Sequence, residues 1–380
     1  MNLALLAALS FTAPTMAIAG LVLLFRWLRK KPVAGFALAA LWSNAALFVL
    51  HLFVSFPLVL GYFGVHGFGS FGQWTRGDER NYAGPRLDAA GQWLIQSSDT
   101  LRAEARGELR VDTDLAAAAS ARAVLITGAD GNLLRAFRVE SRLPQPRAIA
   151  ILVHGLFRGG LELEPPANMF RQHDCECWLL EQRGHGGSTL MPMRFDDSEA
   201  RDLVKVVEFV QHKPGNEHVP IVLFGVSIGT VAVLLALPQL PTVAGVVLDA
   251  PVEDLLATAR RMMQRVPPGS SRRATFCEPW TSLIVAAIEF WSGCQLGAIA
   301  PLCMLQSLPA DLPVLVIGSG SDVTVPPEIV QQLYDNLPMP TGVKTLWIEP
   351  IAAHGKAWQV DPKSYERQLA ALLMRLRAPR

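Results

Sequence analysis

Acidic side chains are missing from the first 64 residues, which hold no Asp or Glu and only four charged residues, Arg26, Arg29, Lys30 and Lys31. The 380-residue chain is 18% charged, against about a quarter in an ordinary soluble domain. Hydrophobic residues make up 51%, and the mean hydropathy is +0.28. A basic face is missing too. Net charge is +1, and the 27 Arg and 7 Lys are scattered, which argues against a nucleic-acid partner. Zinc-ligand spacing is absent: one residue separates Cys175 from Cys177, where paired thiolate ligands need two or more. That pair reads as small buried hydrophobes. Cys277, Cys294 and Cys303 share one stretch and could pair in an oxidising compartment, and the odd total of five leaves at least one thiol over. No internal repeat or low-complexity tract is present.

These first 64 residues hold two long apolar runs, residues 3–25 and 33–56. A bilayer span takes about 20 apolar residues, and in hydrocarbon each must be helical. Residues 1–64 are therefore expected to form a transmembrane hairpin, with Pro14 as a kink and Pro57 as a terminator. A cleaved signal peptide fits less well, for want of a basic start and a small-residue cleavage site. The basic loop 26–32 points to the cytoplasm, which puts the rest of the chain on the periplasmic or extracytoplasmic side. Asn44 and His51, inside the second run, are expected to serve helix packing. Residues 61–72, rich in Gly and aromatics, read as an interfacial segment. Residues 65–119 read as a connector.

Beyond residue 120 the pattern changes. Two runs around Ala129-Asp130-Gly131-Asn132 predict a β-hairpin. Unbroken apolar runs follow at 148–153, 177–180, 221–224, 243–248, 314–317 and 345–348. Such runs suit strands buried on both faces of a parallel sheet. Helical patterns lie between them, at 198–211, 228–237, 328–337 and 364–376. Alternation of this kind predicts an α/β fold with a mostly parallel sheet.

The sharpest motif is Gly225-Val226-Ser227-Ile228-Gly229, directly after one apolar run and before a helical one. That is the setting of a nucleophile elbow, a tight turn that lifts the serine oxygen above the sheet. A plain helix-capping serine is the blander reading. A serine hydroxyl needs a neighbouring base. His354 is the one histidine downstream of Ser227, and it follows the last strand-like run. Asp322 follows the run before that and is the expected acid, with Asp249 as competitor. The oxyanion hole is expected from the backbone amides of Ile228 and Leu156, with Phe157 as runner-up to Leu156. His154 and His185 are expected to shape loops.

With these residues in place, the chain resembles the α/β-hydrolase superfamily, in its serine-aminopeptidase-like and monoglyceride-lipase-like branch. The resemblance runs over residues 120–380 and rests on His154-Gly155-Leu156, on residues 183–188 (R-G-H-G-G-S), on the elbow, on residues 318–326 (G-S-G-S-D-V-T-V-P) and on Ala353-His354-Gly355. It implies the same triad. Glu181 and Thr230 depart from the common pattern, which has Asp and Gly there. The resemblance also implies a helical cap, about residues 251–307. Its Met- and Trp-bearing helices would suit an apolar acyl chain, although such stripes also pack as plain core.

The expected activity is hydrolysis of carboxylic esters, lipid-like or otherwise, at a membrane surface and without a metal or organic cofactor. The expected partners are a small acyl substrate and the bilayer. A peptidase would need an acidic pocket for a substrate amine, and no residue announces one. Acyl transfer is a competing activity, and a silent binding scaffold is the competing non-enzyme role.

Overall fold

Strands buried on both faces carry the continuous apolar runs. The computed structural model describes residues 3–67, 86–87, 93–94, 123–156, 158–185, 188–189, 191, 194, 196–264, 276–299 and 301–377. Eight strands make one sheet: β1 Ala123–Thr127, β2 Leu133–Val139, β3 Ala148–Val153, β4 Cys175–Leu180, β5 Ile221–Val226, β6 Val243–Asp249, β7 Val314–Ser319 and β8 Lys344–Glu349. Their spatial order is β8-β7-β6-β5-β3-β4-β2-β1. Pairing is parallel from β4 through β8, and β2 and β1 add antiparallel at one edge. β3, β4, β6 and β7 are buried along their whole length. Each fully buried Val, Leu or Ile there contributes about 1.5–3 kcal/mol. Cys175 and Cys177 lie in β4 among these residues, and no disulfide joins any of the five cysteines.

Amphipathic helices cover the sheet. Ser198–Gln211 buries Leu203, Val206, Val207 and Val210. The final helix, Pro362–Leu373, begins where the Asp361 carboxylate accepts the Ser364 amide at 2.9 Å. Chain order and strand order together carry Leu156, Ser227, Asp322 and His354 just past the carboxyl ends of β3, β5, β7 and β8. In open α/β sheets ligands gather at that edge.

By internal contacts the chain divides into two units. One is Phe68–Thr258 with Gln295–Arg380, which holds the sheet. The other is Met1–Gly67 with Ala259–Cys294. Part of the region expected as a cap, Ala259–Cys294, thus belongs with the N-terminal helices although it lies in sequence between β6 and β7.

In that second unit the first apolar run forms a helix, Leu3–Leu28. The next run is helical over Ala34–Val65, which has 32 residues and holds an 18-residue stretch of mean hydropathy 2.1. It is the one helix among the described residues long and apolar enough to cross a bilayer. It does not stop near residue 56 as the sequence suggested. Helix Ala34–Leu50 continues through a π-turn, His51–Ser55, into Phe56–Tyr62, and a second π-turn runs over Phe63–Gly67. The Phe56 amide reaches back five residues to the His51 carbonyl. That extra residue per turn lets the helix pass Pro57, which has no N–H to give. Residues 61–67, expected as an interfacial segment, are therefore helical, while 68–72 and most of the connector 65–119 lie outside the described residues. Thr15 Oγ1 donates to Asn44 Oδ1 at 2.6 Å and ties the first helix to the second.

Candidate active site

The elbow forms where β5 turns into the helix Ile228–Ala236. Ser227 sits at φ 53°, ψ −123°, a conformation that side chains rarely adopt. Its strain is held from two sides. The Ser227 amide donates to the Asp249 carbonyl at 2.9 Å, and the Thr230 amide donates to the Ser227 carbonyl at 2.9 Å. Thr230 adds a further tie: its hydroxyl donates to the Ser227 carbonyl at 2.5 Å and accepts the Val252 amide at 3.1 Å. The departure from glycine at 230 thus links the elbow to the loop after β6. Both elbow glycines answer to steric need. A Cβ on Gly225 would lie 2.7 Å from the Gly229 carbonyl oxygen, and one on Gly229 would overlap the Val153 and His154 carbonyls.

Three loops bring Ser227, His354 and Asp322 together. His354 Nε2 lies 2.8 Å from Ser227 Oγ, and His354 Nδ1 lies 2.6 Å from Asp322 Oδ2. The Asp322 side chain is fully buried, and its other oxygen accepts the Thr324 and Val325 amides at 2.8 and 2.9 Å. Those two bonds fix the carboxylate, which in turn fixes the imidazole with Nδ1 as donor and Nε2 facing the serine. Asp249 is not drawn into this chain. Its Oδ2 accepts the Tyr365 hydroxyl at 2.8 Å, and its Oδ1 is buried without a hydrogen-bond partner. Burial pushes its carboxyl up to about 7, against the lowering effect of Tyr365.

The Ile228 amide opens the elbow helix, where helix geometry leaves it without an intrahelical acceptor. The loop after β3 runs beside it: a Cβ on Gly155 would sit 3.4 Å from Ser227 Cβ. Leu156 follows in that loop, and Phe157 lies outside the described residues. His154 holds the loop's shape. Its Nδ1 bonds the Gly155 carbonyl at 2.7 Å, and its Nε2 accepts the Gln182 amide at 3.1 Å. Burial lowers its pKa to about 4, so it stays neutral. His185 packs against it, with ring centres 4.9 Å apart, and is pushed down to about 3, chiefly by burial. Both histidines are occupied with loop backbone and stand apart from the Ser227–His354–Asp322 chain.

Several contributors make contacts that no sequence motif announces. Arg183 is fully buried and bonds Asp202 at 2.7 Å and Asp130 at 2.8 Å, pinning the 183–188 loop to the β1–β2 turn. Lys356 and Arg158 share one carboxylate, Glu162, at 3.3 and 3.5 Å. Burial would raise the Glu162 pKa, yet the two cations outweigh it and hold it below the usual range. A pocket lined by Gln182, Asp196, Glu199, Ile228, Val231 and Leu255 opens beside the elbow. Burial pushes Glu199 up to about 7. Among the described residues no group of three His, Cys, Asp or Glu side chains is placed to hold a metal ion.

Known structures share this arrangement of strands. The esterase Pf2001 of Pyrococcus furiosus superposes with a TM-score of 0.54 at 21% identity, over 67% of this chain and 90% of that one. The α/β hydrolase GrgF of Penicillium sp. sh18 does so at 0.52 and 20% identity, over 67% and 98%. The chain has the α/β-hydrolase fold. The family described as serine aminopeptidase, S33, matches residues 144–275, about a third of the chain, including Ser227 but neither Asp322 nor His354. Among curated proteins it is similar to the phosphatidylserine lipase ABHD16A of Rattus norvegicus, 27% identical over 158 residues, and to that of Bos taurus, 28% identical over 158 residues. Each match covers 40% of this chain and 24% of the relative, so this chain spans about a quarter of the length of those lipases.

Proposed function

We propose that this serine hydrolase is a membrane-anchored esterase acting on lipid-like acyl esters, with Ser227 as nucleophile, His354 as base and Asp322 as the orienting acid. Ser227 Oγ attacks the ester carbonyl while its proton passes to His354 Nε2. The oxyanion collects the Leu156 and Ile228 amides. His354 then protonates the leaving alcohol, and an acyl-enzyme remains. Water attacks that ester with His354 again as base, and Ser227 leaves with the proton as the carboxylic acid departs. The observation that carries this reading is the unbroken chain from Ser227 Oγ through His354 to Asp322, at 2.8 and 2.6 Å. The fold supports ester chemistry, and the names of the curated relatives support a lipid substrate. Arg158 and Lys356 around the single charge of Glu162 leave one positive charge in excess, which suits an anionic substrate. Anchoring rests on the Ala34–Val65 helix with the Leu3–Leu28 helix before it, and the basic loop between them argues for an extracytoplasmic hydrolase domain.

The test is labelling of the detergent-solubilised protein by a fluorophosphonate, with Ser227→Ala and His354→Ala alongside. Labelling of the wild type alone is the expected result. Ester turnover that survives Ser227→Ala would sink the assignment. A folded wild type that takes no label would favour a silent binding scaffold.

A further inference from the structure

The helix Trp280–Ser292 is inserted in sequence into the hydrolase, yet it packs with the membrane helix. The long helix offers it two backbone carbonyls. At the first π-turn the Phe56 amide is diverted from Leu52 to His51, and the next amide in that register would belong to Pro57, which has none. The Leu52 carbonyl accepts the Trp280 indole N–H instead, at 3.1 Å. Two turns on, the Leu58 carbonyl accepts the Trp291 indole N–H at 3.0 Å. Between these bonds the two backbones come close. A Cβ on Gly61 would lie 2.5 Å from Ala287 Cβ and 2.7 Å from the Ala287 carbonyl carbon, so only glycine fits. Small residues at such a contact are how helices approach one another in lipid. Rings fill the flanks: Phe53 stacks on Trp280 at 5.8 Å, and Tyr62 meets Trp291 edge-on at 5.3 Å.

The other side of this helix pair is apolar and uncovered. Phe290 is 69% exposed and Phe63 61%, continuous with the exposed Val59 of the long helix. At about 1.5 Å per residue, 13 residues reach about 20 Å, short of the roughly 30 Å of a hydrocarbon core. The 32 residues of Ala34–Val65 reach about 48 Å, and the contacts lie in the half away from the basic loop.

We propose that the insertion between β6 and β7 is a membrane-seated element: helix Trp280–Ser292 docks on Ala34–Val65 and lies in the bilayer interface opposite the basic loop, with Phe290 toward the lipid. The proposal rests on the reading of Ala34–Val65 as a membrane span. This inserted helix is then fixed to the anchor helix it packs on. Glu289 and Ser292, in the last turn before the Gly293 cap, are the polar end that stays at headgroup level.

The experiment uses the full chain in phosphatidylcholine vesicles, with Cys277, Cys294 and Cys303 changed to Ser. A fluorophore is placed at Phe290→Cys, at Trp42→Cys in the long helix or at Leu143→Cys in the sheet unit, and quenching by acyl-brominated phosphatidylcholine is read. Quenching at 290 and 42 but not at 143 is expected, with a loss of at least half the signal at both. Adding Gly61→Leu should then abolish quenching at 290 and leave 42 unchanged. Quenching at 42 without quenching at 290 overturns the seated cap and keeps the anchor. No quenching at either position overturns both.

Discussion

The Tyr365 hydroxyl donates to Asp249 Oδ2 at 2.8 Å and keeps that carboxylate out of the His354 hydrogen-bond chain. Two aspartates therefore end neighbouring strands with different duties, and substitution separates them. Asp322→Asn puts an amide N–H or a weaker acceptor against His354 Nδ1 and disturbs the tautomer. In serine-protease triads that change costs about 10⁴-fold in kcat. A loss on the order of 10³–10⁴-fold in ester turnover is expected here. Asp249→Asn keeps a partner for Tyr365 and should stay within about tenfold of wild type. Steady-state rates of the two purified variants decide the matter, and the reverse ranking would hand the acid's role to Asp249.

Burial sets up opposing pH trends. It raises Asp249 and Glu199 to about 7 and lowers His154 to about 4 and His185 to about 3. Between roughly pH 4 and 7 the folded chain holds more protons on the two acids than the unfolded chain does, so their share of stability falls as pH rises. On the histidines the unfolded chain holds more protons up to about pH 6.5, so their share rises with pH. Asp249→Asn removes one falling contribution. Its melting temperature should climb more steeply than that of wild type between about pH 4.5 and 6.5. Parallel curves would mean that Asp249 does not titrate in this window.

Much of this was legible in the chain. Continuous apolar runs such as residues 148–153 and 243–248 gave the parallel strands, because a strand buried on both faces cannot alternate. Ser227 was read from the elbow, His354 as the single downstream histidine and Asp322 from its place after the strand-like run at 314–317, and the fold brings these three side chains together. The contacts of Arg183 were not legible, since Asp130 and Asp202 stand 53 and 19 residues away and only the fold brings them together. That the second apolar helix runs on past Pro57 was not legible, because a π-turn stores no signature in composition. The joining of Ala259–Cys294 to the N-terminal helices was hidden for the same reason: indole-to-carbonyl bonds across 228 and 233 residues leave no local pattern.

Gly229→Ala tests how tightly the elbow is seated. The new methyl group would press on the Val153 and His154 carbonyls, which are backbone and cannot rotate away. Overpacking of this kind costs about 1–3 kcal/mol. The strand β3 end and the elbow must then separate, and with them the two amides expected to meet the oxyanion. Fluorophosphonate labelling should slow by more than the drop in melting temperature explains. A variant that melts lower but labels at the wild-type rate would show that the site tolerates the shift.

Lys356 separates substrate recognition from loop support. Its ammonium sits 3.3 Å from Glu162, two residues beyond His354, while Arg158 lies two residues beyond Leu156. A Cβ on Gly155 would touch both Ser227 Cβ, at 3.4 Å, and Arg158 Cγ, at 4.0 Å, so the Arg158 stem starts close to the nucleophile. Partly exposed ion pairs contribute up to about 1 kcal/mol. Lys356→Gln should therefore raise KM about three- to fivefold for an ester with a carboxylate or phosphate tail and leave a neutral ester of equal length within about twofold. If kcat falls equally on both esters, Lys356 acts by holding the His354 loop, and the excess positive charge has no part in choosing the substrate.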